Sequence, residues 1–548
     1  MMRERQRTSY SMQETMTGIS RRSLGWELFV LALAVLVMGS HWLHLTADPA
    51  FRIGWLGPVD WSGDLFTDEG WAASGAAAAV LRGHWHMPGD FNLAVDAPLW
   101  SALLYLPFKL FGVHIALARG IACGLYAGTV GLLWSFVRRG VGRSAAGVVA
   151  LLLAANFLAM NFTRLAIMES AWMFFVVLAL VIAQRGAGVK PAWPAWVAGL
   201  ALGLALLAKL TALCGLVPLF LVLYRASANP GEFARRGALA CSGAAMVFLP
   251  YRVWALSHFA EDHRLYTKLN VSDRAVSGVS GLAREVEVVL RVMARLDVAL
   301  AACVALGLLW AAVRMWKRRE HGEKPMNVVT LACLGWLAAN VALCSTVTYF
   351  PPRYCVSLVV PATVLAVVWM MEVMPRWQGM GLWMAGLLGV SFAANLGGTL
   401  LYEAHPVYSF QAMAKQIEQK ARAAGPAEPG VMGTFADTIS LYTALPAVND
   451  DLGTSARLER IRRTRPRYYV AAGPASTEVA RDFDLAGGRL SLEQRFDVLQ
   501  NYANHQPVYV YAVQWKPAED QVRAGLATPG GYTWMDPQWD GPALRQSY

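Results

Sequence analysis

Apolar residues in this chain fall into blocks about twenty long, divided by short polar connections, over roughly the first 400 positions. A helix needs about 20 mostly apolar residues to cross the hydrocarbon core of a bilayer. The pattern predicts spans near 25–46, 118–137, 144–162, 166–184, 193–208, 211–225, 238–256, 297–313, 327–348, 355–374 and 380–401, eleven in all. The pair 193–208 and 211–225 is short and divided only by AKLT, so it reads as a helical hairpin, and losing it would leave the parity unchanged.

Charge sets the direction of the chain. With the N-terminus inside, one side collects Arg138, Arg139 and Arg143, then Arg185 and Lys190, then Arg225, Arg235 and Arg236, then RMWKRREHGEK at 314–324, then Arg376. That is the positive-inside bias. The opposite side receives 47–117, 257–296 and everything after about 402. The first block follows five arginines but is long enough to span and has no A-x-A site after it, so it is read as an anchor and not a cleaved signal. The expected organisation is a cytoplasmic tail at 1–23, a membrane module at 24–401 and an extracytoplasmic unit at 402–548.

Beyond 402 the long apolar blocks stop. FQAMAKQIEQKARAAG reads as a helix, GVMGTF as a strand, TISLYTAL as a helix, ARLERIRRTRPRYYVAAG as helix then strand, and QPVYVYAVQW as a late strand. The fold class is therefore predominantly α and polytopic, with a small α/β unit at the carboxy terminus.

Composition agrees: 548 residues, 56% hydrophobic and 16% charged, belong to an integral membrane protein. The net charge of +11 sits in short segments between apolar blocks, which is a topology signal and not a nucleic-acid face. All seven cysteines lie in predicted spans without a C-x-x-C, so they read as small packing residues and imply neither disulfides nor a Cys-type zinc site.

Ionisable groups are costly in a bilayer, so their depth is informative. No predicted span carries one at its middle. Arg164 and Glu169 in NFTRLAIMES, Lys209 in AKLT, and Arg353 with Tyr354 in YFPPRY fall at span ends on the side that also carries Asp68 and Glu69 of GDLFTDEGWAAS. In the first external segment, 70–85 and 98–117 read as helices lying on the bilayer, with Asp96 between them. His258 and His263 of LSHFAEDHRLYTK are candidates to join carboxylates, Asp96 among them, around a divalent metal ion. Each group also has a plain structural reading: Asp68 as a helix N-cap, Asp96 as a turn residue before a proline, Lys209 and Arg353 as interfacial anchors.

Carboxylates and cations at a membrane surface suit transfer of a sugar from a polyprenyl-phosphate carrier. A carboxylate takes the acceptor's hydroxyl proton and cations stabilise the departing phosphate. DE at 68–69, DAPLW at 96–100, RLAIMES at 164–170, AKLTALCGLVPL at 208–219 and PPRYCVSLVVPA at 351–362, in that order, resemble the multi-spanning GT-C-fold glycosyltransferases, including bacterial relatives of protein O-mannosyltransferases and aminoarabinose lipid A transferases. The resemblance covers about 25–400. It implies a base at Asp68, with Glu69 beside it, a supporting or metal-contacting role for Asp96, and basic residues on the lipid phosphate. Ala97 stands where some relatives carry a phosphate-contacting lysine, so that role passes to Lys209 or Arg353, with Arg164 and Glu169 nearby. The expected partners are the lipid-linked sugar donor, membrane lipids and an acceptor the sequence does not name. Two competing readings are a carrier or flippase for a lipid-linked precursor, which the absence of midplane charge disfavours, and a membrane-tethered assembly or sensor protein whose carboxy-terminal unit does the work.

Overall fold

The computed structural model describes residues 25–49, 64–188, 192–321, 326–423, 430–451, 454–499 and 507–516. The amino-terminal tail, Lys190 and the final stretch from 517 lie outside these residues.

A helix lies at each of the eleven apolar segments. In chain order, with the surface helices between them, these are α1 (Gly25–Ser40), α2 (Asp64–Leu81), α3 (Pro98–Phe111), α4 (Ile115–Gly140), α5 (Arg143–Ala155), α6 (Phe157–Thr163), α7 (Glu169–Arg185), α8 (Trp193–Ala208), α9 (Leu216–Ala226), α10 (Pro230–His258), α11 (Ala260–Asn270), α12 (Gly278–Leu296), α13 (Val298–His321), α14 (Val328–Cys344), α15 (Val356–Val373) and α16 (Gln378–Ala404). Among the described residues, four helical stretches are long and apolar enough to cross a membrane: Ile115–Gly140, Pro230–His258, Pro352–Val373 and Gln378–Ala423. A fifth is α5 with α6, bent by 62°.

That bend occurs inside apolar surroundings, where freed amides need partners. Asn156 supplies one, accepting from Ala159 N at 2.8 Å, and Asn395 of α16 accepts from Phe157 N at 2.9 Å. The segment read as a hairpin is not a self-packed pair. The helix α8 packs on α7 and α10, while α9 packs on α14, with a 3-10 turn (Leu210–Gly215) between them. Small residues set the α8–α10 approach: a Cβ on Gly199 would lie 2.0 Å from the Ala240 carbonyl oxygen, so nothing larger than glycine fits.

Helices do lie at the stretches expected at 70–85 and 98–117, α2 and α3, shifted by a few residues, but α2 is largely buried, with Glu69, Ala72, Ala73 and Ala76 each at most 2% exposed between α3 and α18. One face of α3 exposes Leu106, Leu110 and Phe111, an apolar stripe suited to lipid.

The carboxy-terminal segment is α/β. It contains α17 (Ser409–Ala423), β1 (Val431–Gly433), α18 (Ala436–Thr443), β2 (Ala447–Asn449), α19 (Arg457–Thr464), β3 (Tyr468–Ala472), α20 (Thr477–Leu485), β4 (Gly488–Phe496) and β5 (Val508–Trp515). The sheet runs β2-β1-β3-β5-β4, with β1 parallel to β2 and β3, and β5 antiparallel to β3 and β4. The sequence pattern anticipated α17, β1, α18, α19, β3 and β5. It did not anticipate β2, α20 or β4. The segment is tied to the membrane part at Asp48, whose carboxylate accepts from Ser409 N at 3.0 Å and Phe410 N at 3.2 Å at the start of α17.

Candidate active site

Asp68 sits in the second turn of α2, four residues after the helix begins, so it is not the N-cap. Its Oδ2 lies 2.8 Å from Arg353 Nη1. Arg353 is delivered by a short 3-10 turn (Pro352–Cys355) just before α15, and its Nε lies 3.8 Å from Glu169 Oε1. Glu169 opens α7, where a carboxylate suits the positive end of the helix. Its Oε1 also accepts from Lys209 Nζ at 2.6 Å. Lys209 stands at the break after α8, where its backbone is extended.

The four side chains thus alternate in charge: Asp68, Arg353, Glu169, Lys209. All are largely buried. Tyr354 completes the group, with Lys209 Nζ 4.3 Å and the Arg353 guanidinium 5.3 Å from its ring centre. These five residues line one cavity of about 100 Å³.

Three other expected residues lie elsewhere. Glu69 does not line the cavity: it is fully buried against Arg119 of α4, accepting from Nε at 2.7 Å and Nη2 at 2.5 Å, and from Ala166 N at 2.7 Å. One step along a helix turns a side chain by about 100°, so the two acids of DE face opposite surroundings. Arg164 does not reach the cavity either. Its Nη2 donates to the Leu43 and His44 carbonyls at 2.6 and 2.7 Å, and its guanidinium lies 4.9 Å from the Tyr402 ring centre. It pins the chain after α1, where carbonyls are left without helical partners.

Asp96 is also outside the cavity lining. Its Oδ1 meets Arg252 Nη1 at 2.6 Å and His263 Nδ1 at 2.7 Å. The expected meeting of Asp96 and His263 does occur, but a guanidinium occupies the place of a third ligand. His258 turns to Ser257 and the Trp254 carbonyl. Among the described residues, no three His, Cys, Asp or Glu side chains gather to hold a metal ion. The Asp96–His263 pair, already bridged by the Arg252 guanidinium, does not fit a divalent ion. What the Asp96–Arg252–His263 knot does is fasten α11 and α10 to the loop before α3.

That fastening matters because α11 contributes to the cavity. Tyr266 and Asn270, with Arg274 beyond the helix, join Trp71, Phe91 and Tyr349 in the lining. Sequence reasoning missed these six. A signal existed in the spacing of Tyr266 and Asn270, four residues apart on α11, which puts both polar groups on one helical face. The Arg274 guanidinium stacks 4.0 Å from the Tyr349 ring centre, and among the described residues no carboxylate pairs with it.

The comparisons with known proteins follow the same outline. The family model for dolichyl-phosphate-mannose-protein mannosyltransferase matches residues 95–254. Among solved structures, ArnT from Cupriavidus metallidurans in the apo state is similar at a TM-score of 0.60 and 17% identity, over 92% of this chain and 99% of that one. The same protein bound to undecaprenyl phosphate gives 0.58 and 16%, with the same coverage. The oligosaccharyltransferase of Archaeoglobus fulgidus in complex with Zn and sulfate gives 0.51 and 12%, over 81% of this chain and 68% of that one. A search of curated protein sequences finds no match. The chain has the GT-C fold that these structures share.

Proposed function

We propose that this protein is an inverting glycosyltransferase that moves a sugar from a polyprenyl-phosphate carrier to an acceptor hydroxyl outside the cytoplasmic membrane. In this reading eleven helices cross the bilayer, the N-terminus is cytoplasmic, and the active-site cavity and the α/β unit at 402–548 face outward. The observation that carries it is the meeting of Asp68, Arg353, Glu169 and Lys209 in one cavity, brought from four distant parts of the chain.

The chemistry follows from those positions. Asp68 is the base: the acceptor oxygen attacks the anomeric carbon, its proton passes to Asp68, and the bond from that carbon to the phosphate oxygen breaks. Arg353 orients Asp68 from one side. The phosphate leaves with the electron pair and is met by cations, which replaces the need for a general acid. Lys209 and Arg353 share Glu169 between them, whereas Arg274 faces the cavity with no carboxylate pairing among the described residues, so Arg274 joins them as a phosphate ligand. The similarity to ArnT bound to undecaprenyl phosphate supports a carrier of that chemistry.

The test is Asp68→Asn, which keeps the shape and removes the base. Cells carrying it should lose the sugar mass increment on envelope glycolipids or glycoproteins, a fall of at least about 100-fold for loss of a general base. Normal transfer by this variant, at normal protein level, removes Asp68 from the role and the proposed mechanism with it.

A further inference from the structure

The carboxy-terminal unit reaches the membrane part directly behind Asp68. Its helix α18 lies along α2, and the contact centres on Gly70, two residues after Asp68. A Cβ at Gly70 would come within 2.6 Å of Thr438 N, 2.7 Å of Thr438 Oγ1 and 2.8 Å of Asp437 Cβ. No side chain larger than glycine fits without moving one helix against the other, because one of those atoms is backbone. The other end of α2 is held by the same unit. Arg82 donates to the Ala447 carbonyl at 2.8 Å, Ser455 N donates to the Gly89 carbonyl at 2.8 Å, and Arg460 meets Asp90 at 3.2 Å. Arg82, Asp90, Asp437 and Arg460 are all buried, so this clasp is a dry contact and not a solvated tether.

We propose that Asp437 and Thr438 are positioning residues for the transfer: through Gly70 they set where α2 stands and hence where the Asp68 carboxylate meets Arg353 and the acceptor. The inference rests on the reading of Asp68 as the base. It gives the carboxy-terminal unit a part in catalysis without contact to substrate. Displacement of a reacting group by about 1 Å costs on the order of 100-fold in rate, so even the shift a single methyl enforces is measurable.

The experiment compares full-length Gly70→Ala, Gly70→Ala with Thr438→Gly, and Asp68→Asn. Transfer is read as the mass increment in complemented cells at equal protein level. Undecaprenyl phosphate binding and thermal midpoint are read on the purified protein in nanodiscs. Positioning predicts that Gly70→Ala loses at least about 10-fold in transfer with carrier binding unchanged, and that Thr438→Gly, by removing the hydroxyl at 2.7 Å, restores part of it. Wild-type transfer by Gly70→Ala beside an inactive Asp68→Asn overturns this inference alone. If Gly70→Ala lowers the midpoint, carrier binding decides: transfer lost while undecaprenyl phosphate still binds supports the positioning role, and loss of both together refutes it. An active Asp68→Asn defeats the functional reading and this inference together.

Discussion

Replacing Glu69 tests whether the second acid of DE anchors α2 or works on substrate. Its carboxylate takes three hydrogen bonds, two from Arg119 and one from Ala166 N. The side chains of Glu69 and Arg119 are 0% and 1% exposed, so water cannot take over after a truncation. Glu69→Ala strands a buried guanidinium, and losing one partner of a buried pair costs about 3–5 kcal/mol. Arg119→Met strands the carboxylate and also frees the Leu45 and Ala47 carbonyls, with a loss of similar size. Changing both, Glu69→Ala with Arg119→Met, leaves no unpaired charge. The double variant should therefore fall short of the summed losses by about 2 kcal/mol or more. Unfolding of the detergent-purified protein in urea, followed by tryptophan fluorescence, measures all four corners of the cycle. Transfer assays on the same proteins add the functional arm: an anchor predicts that the double variant recovers transfer, since α2 again packs where it did. Additive losses, or a Glu69→Ala protein within about 0.5 kcal/mol of the parent, would refute the anchoring argument. A stable double variant without transfer would return Glu69 to the chemistry.

Two more expectations follow from named contacts. Arg353→Lys keeps the charge but loses the fork that reaches both Asp68 and Glu169, so transfer should drop about 10- to 100-fold with carrier binding reduced less; transfer at the parental level would contradict the orienting role. Asp437 is buried among Asp90, Arg82, Arg460 and Asn449, and burial pushes its carboxyl up to about 8. The folded state then keeps a proton that the unfolded chain releases above about pH 4, so the carboxy-terminal unit should lose stability as pH rises from about 4 to 8, by at most about 1.4 kcal/mol per unit, and level off above that window. Amide exchange of α18 across this range should show the slope in the parent and a flat response in Asp437→Asn; equal slopes would exclude Asp437 as its source.

Much of the architecture was legible in the chain because a bilayer imposes a length on every apolar block, and each of the eleven blocks indeed forms a helix. The ends of those blocks are where costly charges surface, and Asp68, Glu169, Lys209, Arg353 and Tyr354, legible on that ground in the sequence, line one cavity. Rotation about a helix is another matter. Asp68 and Glu69 are neighbours in sequence, yet one meets the cavity and the other a buried arginine, and only the packing of α2 against α4 decides between them. Arg164 and Asp96 looked like their functional neighbours because sequence reports depth, whereas direction comes from which carbonyls and cations happen to stand nearby. The strand β2 has only three residues, too few for a readable alternation, and β4, nine residues long, buries only its first, so no apolar alternation marks it; the contribution of α11 arose from a knot between residues more than 150 positions apart, Asp96 with Arg252 and His263. Periodicity along one dimension determined where the apolar helices fall. Which side chains share a cavity, and the close seat of α18 on Gly70, belonged to the tertiary structure, because contacts between remote segments depend on packing that no local pattern encodes.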